Sequence, residues 1–242
     1  MSGRKRFFIN KISYPEQTEV ILDGEEFTHA RTVQRVEEGT EIILLDGSGS
    51  EYTAVVCKVE KHSLTAHILN AETGGREPTA KIYLLVGALK GDKTELVVQK
   101  ATELGAAKIG VFQSEYCAAY MNANKIERLN KVAREAAKQC MRSRAPEIEY
   151  FDNFAKALAS AKDCKHKLFA CEFAKASQAE ILNISGEVAL VVGSEGGFSE
   201  KEAELAQEHG FSQITLGKRI LRAETAAISL TALAAFALGE LK

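Results

Sequence analysis

Short runs of alternating or β-branched apolar residues open the chain and predict strands over 6–10, 41–46, 51–58 and 63–69. Asp46-Gly47-Ser48-Gly49-Ser50 reads as a hairpin loop between two of them. A short helix is expected over 25–36, so this part reads as a small barrel with one helix. The polar, turn-rich stretch 70–78, Asn-Ala-Glu-Thr-Gly-Gly-Arg-Glu-Pro, reads as a linker. Two domains follow, 1–72 and 73–242.

Beyond the linker the period changes. Apolar strands are expected over 81–89, 108–113, 167–171, 187–193 and 213–216, with helical patterns between them. Asp92 with Glu95 reads as a capping box that opens a helix carrying Val97, Ala101 and Leu104 on one face, with Gly105 as its C′ residue. Ile126, Leu129, Ala133, Ala136 and Cys140 share one face of a longer helix. Ser199 with Glu202 reads as a second capping box, and that helix stops at Gly210. The last helix, over 224–238, is apolar nearly all round, which places it in a core or an interface. Strand–helix alternation of this kind predicts an α/β domain with a mainly parallel sheet.

Composition narrows the classes. With 45% hydrophobic and 26% charged residues over 242 positions, the chain is an ordinary globular protein, not a disordered or collagen-like one. Lys+Arg number 31 against 33 Asp+Glu, a net charge of -2. A protein that coats nucleic acid without specificity is normally basic, so any nucleic-acid role here rests on local patches. The stretch 226–238 is too short to span a bilayer, and the start has no signal-peptide core. The five cysteines form no C-x-x-C pair, which predicts reduced thiols in a cytoplasmic protein with no metal.

Two glycine-bearing loops are the main candidates for chemistry. In Val191-Val192-Gly193-Ser194-Glu195-Gly196-Gly197-Phe198-Ser199 a buried-looking strand runs into a loop whose backbone can approach a ligand closely. The spacing matches neither the dinucleotide fingerprint nor a P-loop. A plain strand–helix turn competes evenly with that reading. The second loop, Leu216 to Ala226, gathers Lys218, Arg219 and Arg222 ahead of Glu224 and Thr225. It reads as an anion-binding or catalytic loop, against a solvated basic turn. Weaker candidates are Lys90-Gly91-Asp92-Lys93, Arg142 with Arg144, and a basic–aromatic set of Arg4, Arg6, Arg31 and Arg35 near Phe7 and Phe8.

Together these motifs resemble the RsmE family of ribosomal RNA methyltransferases, within the SPOUT superfamily. The matching pieces are Lys-Gly-Asp-Lys at 90–93, Gln-Lys-Ala-Thr-Glu-Leu-Gly at 99–105, residues 139–148, 193–198 and 216–226, with Arg6-Phe7-Phe8, 29–36 and Asp46-Gly47 nearer the start. Ser194 stands where the family usually has proline, Tyr116 where arginine is common, and Met141 where glycine is usual. The resemblance implies a PUA-like RNA-binding β-barrel followed by a SPOUT domain with a trefoil knot. It implies S-adenosylmethionine as cofactor, a homodimer, and transfer of methyl to N3 of one uridine in 16S ribosomal RNA, in the 30S subunit. The implied cofactor residues are Phe169, Ala170, Val192, Gly193, Glu195, Gly196, Gly197, Leu216, Gly217, Ile220, Leu221, Thr225 and Ala226. Arg222 is expected to orient the base or a phosphate and Glu224 to accept a proton. Arg4, Arg6, Arg31, Arg35, Lys90, Lys93, Arg142, Arg144, Lys218 and Arg219 are expected RNA contacts. A silent RNA-binding assembly factor and a nucleotide-dependent oxidoreductase are the alternatives; the second lacks the G-x-G-x-x-G spacing.

Overall fold

A computed structural model of the chain describes residues 4–73, 75–171 and 183–241. The chain packs as two compact units, Met1–Glu77 with Ala137–Ala145, and Pro78–Ala136 with Pro146–Lys242. The division thus falls at Glu77/Pro78 and not after residue 72, and a short later segment joins the first unit.

The first unit holds strands β1 (Lys5–Phe8), β2 (Glu19–Asp23), β3 (Glu41–Leu45), β4 (Ser50–Val59) and β5 (Ser63–Thr73). They form one sheet in the order β1-β3-β4-β5-β2, antiparallel except for β1 on β3. Each strand sends one face into a single core. Phe7 comes from one edge strand and Val20 and Leu22 from the other, with Ile42, Leu44, Val56 and Leu64 between them. One core shared by both edge strands means that the sheet wraps around it. The expected helix is two pieces, α1 (Gly24–Thr28) and one wide turn of π type over His29–Val33, which bury Phe27 and Ala30. β2 escaped the sequence reading, and β5 runs four residues into the expected linker. Those residues, 70–73, are polar and exposed, but their backbone pairs with β4 from Thr53 back to Ser50. Gly74 lies outside the described residues.

In the same unit Arg142 is buried, at 5% exposure. Its Nη2 donates to Glu77 Oε2 at 3.1 Å, while the backbone N–H groups of Ser143 and Arg144 donate to Glu77 Oε1. Arg142 therefore holds the fold together and presents no charge to a partner. Just before it, Met141 has φ 64°, the left-handed conformation that favours glycine. That conformation costs an ordinary residue about 1–2 kcal/mol. Glycine's extra freedom in the unfolded chain gives back about 0.5–1 kcal/mol of this. Met141→Gly should thus raise stability by roughly 0.5–1 kcal/mol, read as a higher urea midpoint with an unchanged slope.

The second unit is built on β6 (Lys81–Gly87), β7 (Ala106–Phe112), β8 (Glu147–Phe151), β9 (His166–Ala170), β10 (Glu187–Val192) and β11 (Ser212–Ile214). The order is β11-β9-β10-β6-β7-β8, and every ladder is parallel. After their charged first residues, Lys81 and Glu187, the central strands β6 and β10 are apolar, as a sheet covered on both faces requires. Ile82 to Val86 and Val188 to Val192 are all buried. Helices α2 (Lys93–Glu103), α3 (Ala123–Gln139), α4 (Phe154–Ser160), α5 (Glu200–Glu208) and α6 (Ala223–Ala237) accompany the strands. On α3, Leu129, Ala133 and Ala136 are buried, the face its spacing predicts. β8 and α4 were not anticipated.

The two expected capping boxes differ in outcome. At Ser199 both halves form, with Glu202 N–H donating to Ser199 Oγ and Ser199 N–H donating to Glu202 Oε2. At Asp92 neither the side-chain cap nor the extended backbone of a cap is present, since φ and ψ are -93° and 5°. Glu95 is instead drawn to Arg128, whose Nη2 lies 2.8 Å from its Oε2.

Candidate functional site

The carboxyl ends of a parallel sheet are where helix N-termini and loop amides converge, so ligands bind there. In this chain β9, β10 and β11 end together on one cavity of about 560 Å³. That size suits a small organic molecule. Ala170 and Cys171 line it from the end of β9, Val192 to Phe198 from the first glycine loop, and Ile214 to Ala223 with Ala226 from the second. Lys93, at the start of α2, completes the wall.

Close packing from behind sets the path of the first loop. Gly193 faces the ring of Phe198, and a methyl group there would lie 2.9 Å from Phe198 Cε2. Phe198 in turn packs on Phe169, ring centroids 4.4 Å apart, within a cluster that includes Phe112 and Phe154. The loop thus leaves the sheet at Gly193, turns with Gly197 N–H donating to Ser194 O at 3.0 Å, and is pulled back to the core by Phe198. A Cβ on Gly196 would lie 2.6 Å from the Tyr116 carbonyl oxygen. Ser194 follows this path in proline's usual place. Its hydroxyl is buried, at the cavity wall, and has no hydrogen-bond partner among the described residues. Such an orphan asks for a polar ligand atom or water.

The second loop turns at Gly217, whose φ of 117° admits glycine readily and other residues hardly at all. Thr215 Oγ1 donates to Gly217 O at 3.2 Å across the turn. Lys218, Arg219, Ile220 and Arg222 are exposed on this loop. Arg222 is the N-cap residue of α6 by its extended backbone, but its side chain makes no cap. Its guanidinium forms no ion pair or hydrogen bond among the described residues. Glu224 is held by Lys93 and not by its neighbour Arg222. Glu224 Oε1 lies 3.5 Å from Lys93 Nζ, while its Oε2 is buried without a hydrogen-bond partner among the described residues.

Lys93 also reaches Glu195, with Nζ 3.3 Å from Oε1. The backbone N–H of Lys90 donates to the same oxygen at 3.1 Å. Burial pushes the Glu195 carboxyl up, but hydrogen bonds from backbone N–H groups and the Lys93 ammonium outweigh that and hold it below the usual carboxylate range.

Most of the expected cofactor residues do line this cavity; Phe169 and Thr225 do not. Phe169 is fully buried in the aromatic cluster behind the first loop, because its side chain points to the opposite sheet face from the cavity-lining Ala170. Thr225 is exposed on the first turn of α6. Glu224 stands next to the wall and reaches it through Lys93. Cys171, Ser194, Phe198, Ile214, Thr215 and Ala223 line the cavity without having been singled out. Each lies within two positions of an expected residue, which is the signal the sequence offers for them.

The expected RNA contacts are of four kinds. Arg35, Lys90, Lys218 and Arg219 are exposed, as is Arg144, whose guanidinium donates to Ser48 O. Arg4 is exposed and pairs loosely with Glu41 at 3.1 Å, and Arg31 donates to Val36 O. Arg6 is largely buried against Glu51 at 2.6 Å, and Arg142 is consumed by Glu77, so neither offers a free charge. Lys93 faces the cavity.

The arrangement can hold a flat heteroaromatic group between apolar walls by backbone N–H and C=O groups, and can set an anionic centre beside Arg222. Known proteins of similar sequence and structure include some solved with a bound cofactor. Residues 76–235 match the RNA methyltransferase domain and residues 22–69 the RNA methyltransferase PUA domain. The ribosomal RNA small subunit methyltransferase E of Bacillus subtilis (strain 168) is 33% identical over 237 residues, covering 92% of each chain. A putative methyltransferase from Legionella pneumophila, solved in complex with the bound cofactor SAM, superposes with a TM-score of 0.88 at 31% identity, over 97% of this chain and 98% of that one. A ribosomal RNA small subunit methyltransferase E from Neisseria gonorrhoeae bound to S-adenosyl methionine gives 0.85 at 30% identity, over 95% and 96%.

Proposed function

From the premise that this chain belongs to the ribosomal RNA small subunit methyltransferase E family, a family of S-adenosylmethionine-dependent enzymes acting on ribosomal RNA, we propose that it methylates N3 of one uridine in 16S ribosomal RNA, in the context of the 30S subunit. The observation that carries this reading is the cavity at the ends of β9, β10 and β11, where two backbone loops meet beside an uncommitted guanidinium. Its residues fit the cofactor: apolar walls from Val192, Ile214, Leu216 and Leu221 for the adenine, and the orphaned Ser194 hydroxyl for a polar atom. S-adenosylmethionine supplies, when bound, a methyl group on a positively charged sulfur.

The protein's own work is on the base. N3 lies on the pairing edge, so the uridine must leave its helix before it can react. Its proton must leave before or during attack. Arg222 is placed to stabilise the anion that this creates, because its guanidinium is free and lies on the cavity wall. Glu224 is the proton acceptor in this scheme, with Oε2 as its uncommitted oxygen. Arg4, Arg31, Arg35, Lys90, Arg144, Lys218 and Arg219 are the phosphate contacts. Replacing several of these should lower RNA affinity and flatten its salt dependence, by about one unit of slope for each phosphate that is no longer neutralised. An unchanged slope removes them from the interface.

The same reading includes a trefoil-knotted chain path, a cytoplasmic location and a homodimer. No described helix is long and apolar enough to cross a membrane. The dimer is supported by α6, which carries no charge from Thr225 to Leu238 and exposes Leu233 and Phe236. Primer extension on ribosomal RNA from cells lacking the protein tests the chemistry, because N3 methylation blocks reverse transcription. One stop at a uridine of 16S RNA should vanish and return with the wild-type gene. An unchanged stop pattern overturns the reading.

A further inference from the structure

We propose that Lys93 is a positioning residue that braces the cavity by tying the first cofactor loop to the start of the last helix. It rests on the reading of this cavity as the S-adenosylmethionine site. Lys93 is the one lining residue contributed by α2 among those described. Its ammonium lies 3.3 Å from Glu195 Oε1 on the first loop and 3.5 Å from Glu224 Oε1 at the start of α6. These carboxylates belong to the two segments that must hold a common geometry if cofactor and base are to meet. Without a cation between them they would repel across the cavity wall.

The Glu224 carboxylate makes the brace necessary. Its side chain is 12% exposed, and Oε2 has no hydrogen-bond partner among the described residues. A carboxylate so placed cannot be repaid by water, and Lys93 is its sole ion-pair partner among the described residues. Glu195 is less dependent, since the Lys90 backbone N–H also donates to it. Loss of Lys93 should therefore shift the start of α6 and the first loop apart. The cost should fall on cofactor affinity, and on RNA affinity hardly at all, although Lys93 is a cation in a basic segment.

The test uses the full chain and three variants. Lys93→Met keeps the stem and removes the charge, Lys93→Arg keeps the charge, and Lys93→Met/Glu224→Gln removes both charges of the inner pair. Calorimetry with S-adenosylmethionine should show binding at least about tenfold weaker for Lys93→Met, recovery to within about threefold for Lys93→Arg, and partial recovery for the double variant, while the affinity for a 16S RNA fragment is unchanged. Thermal unfolding without cofactor supplies a second reading. Glu224→Gln should lower Tm in the wild-type background and raise it in Lys93→Met. Native cofactor affinity in Lys93→Met together with additive Tm changes overturns the brace. Weakened RNA binding with native cofactor affinity assigns Lys93 to RNA instead. A wild-type chain that binds no S-adenosylmethionine defeats the assignment of the cavity, and the Tm cycle then decides the brace by itself.

Discussion

Arg222→Ala is expected to lower single-turnover methylation by about 10²–10³-fold while changing S-adenosylmethionine affinity by less than about threefold. The size follows from what the guanidinium does. Uridine N3 becomes negatively charged as its proton leaves, in a cavity whose apolar walls screen charge poorly. Within the second loop Arg222 is the cation closest to α6, and its side chain is bound to nothing else in the described structure. The fold should not suffer, because the residue caps α6 through its backbone and makes no side-chain cap. The carbonyl of Arg222, which accepts the Ala226 N–H at 2.8 Å, survives the substitution. Rapid-quench transfer of labelled methyl to 16S RNA, beside calorimetry for the cofactor, separates the two quantities. Arg222→Lys should recover part of the rate, since it keeps charge without the planar fork. A native rate in Arg222→Ala moves the charge stabilisation to Lys218 or Arg219.

What the sequence made legible, and what it hid, divides by the range of the interaction. The inner strands β6, β7 and β10 are short, mostly apolar runs, and their reading needed no knowledge of partners, whereas β8 at the sheet edge, Glu-Ile-Glu-Tyr-Phe, escaped it. The capping box at Ser199 is local, four residues wide, and it formed. The same pattern at Asp92 failed because Glu95 has a partner 33 positions away in sequence, Arg128. Residues 70–73 looked like linker for a related reason. Strand pairing there is a matter of backbone hydrogen bonds to β4, which leave no trace in polarity when both faces are exposed. Charge alone does not show which carboxylates Lys93 and Arg142 meet. Their carboxylate partners, Glu195, Glu224 and Glu77, are distant in the chain, and a cation's neighbours decide whether it meets a phosphate or holds a fold. The glycine loops were visible as motifs, yet the reason each glycine is needed was not. For Gly217 that reason is a positive φ, and for Gly193 and Gly196 it is a close approach by other residues.

Gly87 shows this most sharply and supports the second large effect. It ends β6, next to β10 in the sheet, where Val86 pairs with Val192. A Cβ at Gly87 would lie 2.5 Å from the Ser194 nitrogen, 3.0 Å from the Gly193 carbonyl carbon and 3.2 Å from Ser194 Cα. All three are backbone atoms, so no side chain can swing aside; the first loop must move away from β6, or the sheet must open. Either change costs about 1–3 kcal/mol, the usual range for overpacking a tight site. Much of that cost should appear as weaker cofactor binding, because the displaced atoms form the cavity wall. Gly87→Ala is expected to weaken S-adenosylmethionine binding by about 10–100-fold and to lower Tm by several degrees. Gly75→Ala is the matched control, since nothing lies within 4 Å of its Cβ position, and it should leave both quantities unchanged. Native cofactor affinity in Gly87→Ala would mean that the loop closes on its ligand without support from β6. The weight would then shift to the other packing behind it, Tyr116 against Gly196 and Phe198 against Gly193, which Gly196→Ala and Phe198→Leu would expose in the same assay.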